Sequence, residues 1–129
     1  MKEVNISSRK RTDFIDCSAE IQAAVQEMGI DSGVVTVFVP HTTAGITINE
    51  NADPDVMTDI ENALDRLVPW SAGYRHAEGN SAAHLKASMM GSSLQLIVED
   101  GSIRRGTWQG VYFCEFDGPR SRRIWISKS

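Results

Sequence analysis

Between Leu94 and Ser127 the chain reads as three short strand-like runs, Leu94 to Val98, Trp108 to Phe116 and Arg122 to Ser127. They are parted by the turn sequences Asp100-Gly101 and Asp117-Gly118-Pro119. Runs spaced this closely predict a β-meander at the end of the chain. Upstream, strand and helix signals mix. Lys2 to Ser8 alternates Val4 with Ile6, and Phe14 to Cys17 fits a second short strand beyond a basic turn. Gly33 to Val39 is rich in β-branched residues and ends at Pro40, which predicts a central strand that delivers His41 to its edge. Ile46 and Ile48 alternate with Thr47 and Asn49 in a further strand.

Helical spacing is confined to three places. Ser18 is the expected N-cap of a helix carrying Ile21, Ala24, Val25 and Met28, and Gly29 stops it. Asp53 caps and Pro54 opens a second helix, whose apolar stripe is Val56, Ile60, Ala63, Leu64 and Leu67, and Pro69 blocks its continuation. Residues 69 to 80 have no period, hold Gly73, Gly79 and Asn80, and predict an irregular loop carrying His76. Ser81 to Met90 fits a short third helix closed by Gly91. With no repeat or linker, residues 1–129 predict one α+β domain with two main helices and a short third.

Composition narrows the function classes. No run approaches the roughly 18 apolar residues of a membrane span, and the polar Ser7 to Arg11 stretch stands where a signal peptide needs its apolar segment. A cytoplasmic protein is expected. The net charge of -4 argues against nucleic acid as a partner. Acidic residues crowd between Glu50 and Asp65, whereas arginines return at Arg104, Arg105, Arg120, Arg122 and Arg123, an asymmetry that suits a site, a subunit contact or solvated faces. Cys17 and Cys114 lie far apart without a metal or redox spacing and read as small buried side chains.

The residues with chemistry are few. His41 ends a strand, His76 sits in a Gly-rich loop and His84 begins a short helix, although their spacing matches no compact zinc motif. Were they to meet, three neutral imidazoles with a carboxylate such as Glu50 would suit zinc or another borderline metal with an open position. Gly106-Thr107-Trp108-Gln109-Gly110 offers either a pocket wall with a flat apolar face or a β-bulge with a packed tryptophan. Thr42, Thr43 and Thr47 could bond a ligand or simply favour strand. Lys86 either faces an anion beside His84 or extends into water.

Taken in order, Pro40-His41-Thr42-Thr43-Ala44-Gly45-Ile46-Thr47-Ile48-Asn49-Glu50-Asn51, His76, Asn80 to Lys86 with Ala83-His84-Leu85-Lys86, and Gly106-Thr107-Trp108-Gln109 resemble the YjbQ-like family across nearly the whole chain. The resemblance implies mostly antiparallel β-sheets and a homotrimer with sites near subunit boundaries. It also implies secondary thiamine-phosphate synthase activity, which joins a pyrimidine pyrophosphate to a thiazole phosphate and releases pyrophosphate. Carried onto this chain, His41, Glu50 and His84 would be catalytic. Thr42, Asn49, Lys86, Thr107, Trp108 and Gln109 would bind a small phosphorylated substrate. His41, His76 and His84 would hold a divalent metal, zinc or magnesium. The chain departs from the family pattern at Ala82, where many relatives carry another histidine, and at Ala77, where some place Asp or Asn. A non-catalytic trimer binding a metal or anion, and a metal-dependent hydrolase, are the competing functions.

Overall fold

Eight strands divide between two sheets because alternate side chains along them face either an inter-sheet core or a second surface. The computed structural model describes every residue from Met1 to Ser129. In chain order the elements are β1 (Lys2–Ser7), β2 (Asp13–Asp16), α1 (Ser18–Glu27), β3 (Gly33–Phe38), β4 (Ala44–Glu50), α2 (Pro54–Leu67), α3 (Ser81–Met90), β5 (Ser93–Glu99), β6 (Ser102–Ile103), β7 (Gln109–Glu115) and β8 (Ser121–Lys128). One sheet has the order β1-β8-β3-β5-β6 and the other β2-β7-β4, and every pairing is antiparallel. The fold is α+β, and β3 is central in the larger sheet as its composition predicts.

The expected meander does not form. β5 turns back only into the two-residue β6 through Asp100 and Gly101, both at positive φ as a type I′ hairpin requires, and β6 has no strand signal of its own in the sequence. β7 leaves for the second sheet, and β8 inserts between β1 and β3. The reason lies in β7, where all residues from Gly110 to Glu115 are buried. Val111 and Phe113 face the inter-sheet core with Ile46, Val35, Val37, Ile124, Ile126 and α1. Tyr112 and Cys114 face α2 and α3 through Met57, Leu64, Ala83 and Ala87. A strand apolar on both faces is satisfied only as a covered centre.

Two helix details differ from expectation. Ser18 is the first residue of α1 rather than its cap. Its hydroxyl accepts the Val111 N–H at 2.9 Å, while its own N–H donates to Asp16 Oδ1 at 2.9 Å. On α2, Asp53 does cap by accepting the Asp55 N–H, but Leu67 is 70% exposed and Met57 replaces it in the packed stripe. Cys17 and Cys114 are buried free thiols, and burial pushes the Cys17 thiol up to about 12.

Candidate functional site

His41 follows Pro40 at the end of β3, so the strand's pairing with β8 carries its ring beside Arg123. The Arg123 backbone N–H donates to His41 Nε2 at 3.0 Å, and the ring stands edge-on to Phe113 at 6.5 Å. A backbone N–H can only donate, so Nε2 bears the lone pair and the neutral ring carries its proton on Nδ1. Burial, followed by the Arg122 and Arg123 charges, holds the His41 pKa below the ordinary histidine value. The ring is a neutral donor fixed in one orientation.

His41 stands between two lobes of an open groove. One lobe, of about 460 Å³, runs along α3 past His84, Ala87, Ser88 and Gly91. The other, of about 470 Å³, runs past Phe38, Pro40 and Arg122. His41, Thr42 and Ser92 line both. Neither lobe is lined by a carboxylate, whereas a cleft beside α1 is lined by Asp16 and Glu20, and one beside α2 by Glu61 and Asp65. The α3 lobe depends on Gly45, whose missing side chain lets β4 touch the end of α3. A Cβ there would lie 2.8 Å from Gly91 O and 2.9 Å from Met90 Cβ.

Behind the groove lies a buried ion pair. The alternation of β8 turns Arg122 inward with Ile124 and Ile126, and that of β7 turns Glu115 inward with Val111 and Phe113. Arg122 Nε and Nη2 donate to the two Glu115 oxygens at 2.8 and 2.5 Å, and Nη2 also donates to Thr43 Oγ1 at 2.7 Å. Glu115 further accepts from the Ser8 hydroxyl and the Asp117 N–H. Burial pushes the Glu115 carboxyl up, but the hydrogen bonds from Arg122, Ser8 and Asp117 together hold it below the usual carboxylate range.

The other predicted site residues divide among three places. His76 meets His84 edge to face at 5.4 Å and lies 3.8 Å from Glu78, so these two histidines do come together beside the groove. Asn49 and Glu50 lie at the opposite end of β4, beside Gly110 and Gln109 of β7. Ala44 and Glu50 are six residue steps apart along the strand, roughly 20 Å at the ordinary strand rise. A single chain therefore does not bring Glu50 to His41. Thr107 and Trp108 occupy the turn before β7, latched when Gly106 N–H donates to Gln109 Oε1 at 2.8 Å and Asn51 N–H donates to Trp108 O at 2.9 Å. Trp108 is exposed and unpacked, so the segment is neither a bulge with a packed tryptophan nor a wall of the groove. Lys86 is neither solvated nor beside His84's cleft: it is buried on the other face of α3, paired with Asp65.

The family model described as UPF0047 protein YjbQ-like matches residues 2–129. The chain belongs to the YjbQ-like UPF0047 family. It is 53% identical over 127 residues to the UPF0047 protein YugU of Bacillus subtilis, a match covering 98% of this chain and 96% of that protein. Identity to the UPF0047 protein MJ1081 of Methanocaldococcus jannaschii is 48% over 121 residues, covering 94% and 88% of the two. The crystal structure of a YjbQ/UPF0047-family protein from Clostridium acetobutylicum is similar with a TM-score of 0.96 and 51% identity, covering 100% of each chain. That of a conserved hypothetical protein from Thermus thermophilus gives 0.94 and 38%, again over 100% of each.

The metal expected of a YjbQ-like chain does not fit one chain as predicted. No three His, Cys, Asp or Glu side chains converge on a common point, and one of the two ring nitrogens of His41, Nε2, is taken by the Arg123 N–H. Ala82, which stands where the resemblance places a further histidine, is fully buried in α3. What the YjbQ-like motifs did not reveal is the rest of the groove: Ser88, Ser92 and, above all, Arg122. The signal for Arg122 was its even spacing from Ile124 and Ile126, which turns it to the core face.

Proposed function

We propose that the groove binds phosphorylated small molecules, and that its chemistry is the transfer implied by the family resemblance. In that reaction a thiazole phosphate supplies a ring nitrogen whose lone pair attacks the methylene carbon of a pyrimidine pyrophosphate. The carbon–oxygen bond breaks and its electron pair departs with pyrophosphate. The carrying observation is the pair of lobes meeting at His41, Thr42 and Ser92, which gives two substrates adjoining places lined with donors and free of carboxylates. The neutral His41 Nδ1–H and the hydroxyls of Thr42, Ser88 and Ser92 would orient phosphate oxygens, and charge developing on the leaving group would be met by fixed donors.

A homotrimer belongs to the same proposal. Leu67, Leu85, Met89, Ile97 and Trp108 are large apolar side chains left exposed on one chain, and contact between copies would cover some of them. It would also give Glu50 and the Gly106 to Gly110 turn a route to a neighbour's groove. A divalent ion, zinc or magnesium, would require ligands from a second copy. The competing reading, a binding module without turnover, is favoured by the Arg123 N–H on His41 Nε2, which leaves the neutral ring no free lone pair with which to take a proton. Purified protein supplied with both substrates decides between them. The transfer reading expects thiamine-phosphate formation that falls at least about a hundredfold in His41→Asn, as loss of an orienting or proton-handling group does. Product formed equally by parent, His41→Asn and His84→Asn defeats it.

A further inference from the structure

The Arg122 guanidinium has one edge that nothing in the chain uses. Its Nε and both Nη2 hydrogens are committed to Glu115 and Thr43, while Nη1 donates to no protein acceptor. Nη1 is not sealed in the core, since the one enclosed side-chain nitrogen or oxygen without a partner is Asn80 Oδ1. The side chain is 93% buried, with 7% exposure, and Arg122 lines the second lobe beside His41 and Thr42. Glu115 and Thr43 hold the guanidinium by Nε and Nη2, so its orientation is fixed without needing to be ordered by a ligand, and the unused Nη1 is left for whatever occupies the lobe that Arg122 lines.

The surroundings select an anion. No carboxylate lines the lobe, and His41 turns a neutral face with its proton on Nδ1. Phe38, stacked on Trp125 with centroids 5.8 Å apart, forms an apolar wall of the same lobe. We propose that the free Nη1 edge of Arg122 is a phosphoryl-binding subsite, receiving the terminal phosphate of a phosphorylated ring compound whose ring lies toward Phe38. The inference rests on the phosphate-binding reading above and assigns it to one side chain.

Inorganic pyrophosphate is the probe. Calorimetric titration of the whole protein is compared with that of Arg122→Lys, which keeps the charge facing Glu115 and loses the second edge. Guanidinium ¹⁵N resonances of the parent are followed in the same titration. The expected result is roughly ten- to a hundredfold weaker binding in Arg122→Lys, the range for a charged hydrogen-bonding group, with an Arg122 resonance that moves along the parent's binding curve. Unchanged affinity in the variant, or shifts confined to Arg9, Arg11, Arg104 or Arg105, overturns the assignment. If Arg122→Lys does not fold, the parent resonances decide alone. Unchanged pyrophosphate affinity in Arg122→Lys alongside lost synthesis in His84→Asn removes this subsite and leaves the transfer reading intact. No pyrophosphate binding by the parent removes both.

Discussion

Arg122 and Glu115 end the inter-sheet core in a charged pair, and this makes stability at the site depend on proton concentration. The Glu115 carboxyl is held below its ordinary pKa, so its contribution is present above that ordinary value and is lost as pH falls through the lowered one. His41 is also held below its usual value near 6.5, so the unfolded chain binds its proton first and stability declines as pH falls from there. Urea midpoints measured from pH 8 to pH 4 in phosphate-free buffer should fall on acidification. His41→Asn should flatten the upper part of that fall, and an unchanged profile in the variant would show that His41 gains nothing by staying neutral. Glu115→Ala leaves the Arg122 charge buried without its partner and should cost about 3–5 kcal/mol. At this scale histidines were conspicuous by residue type alone. Arg122 shares the phase of Ile124 and Ile126, so its inward direction was legible, but its partner was not, because Glu115 lies on a strand of the other sheet. The partner of Lys86 was hidden too, since no local pattern announces that Asp65 of α2 will meet it.

The seam between β4 and α3 determines the shape of the groove. Ile46 N–H donates to Gly91 O at 3.1 Å across the gap left by Gly45, and His84, Ser88 and Gly91 all belong to or adjoin the helix held there. Gly45→Ala should therefore cost about 1–3 kcal/mol by overpacking and also weaken ligand binding, because α3 must shift away from His41. Denaturation midpoint and pyrophosphate affinity measured on the same preparation test the coupling. A stability loss with full affinity would separate the seam from the site. The elements themselves were largely legible: helix α3 from Ser81 to Met90 and the Asp53 cap of α2 rest on local spacing and local hydrogen bonds. Strand partners were not, since a run such as Val111 to Phe116 announces burial on both faces without saying which strands flank it.

For the whole molecule, the proposed site is complete only if copies associate. Light scattering should give three times the 14.2 kDa chain mass, and a monomer at working concentration would sink the proposal that Glu50 of one copy reaches another's groove. Which residues share a groove was beyond sequence reasoning, because His41 and Glu50, nine positions apart, flank β4, with His41 before its first residue and Glu50 at its far end. Topology also bears on biosynthesis. β8 lies between β1 and β3, and β1 has no other partner strand. During translation the larger sheet therefore stays open until β8 has cleared the ribosome. The edges of β1 and β3 that β8 will cover stay unpaired until then, which is when exposed strand edges are open to chaperones.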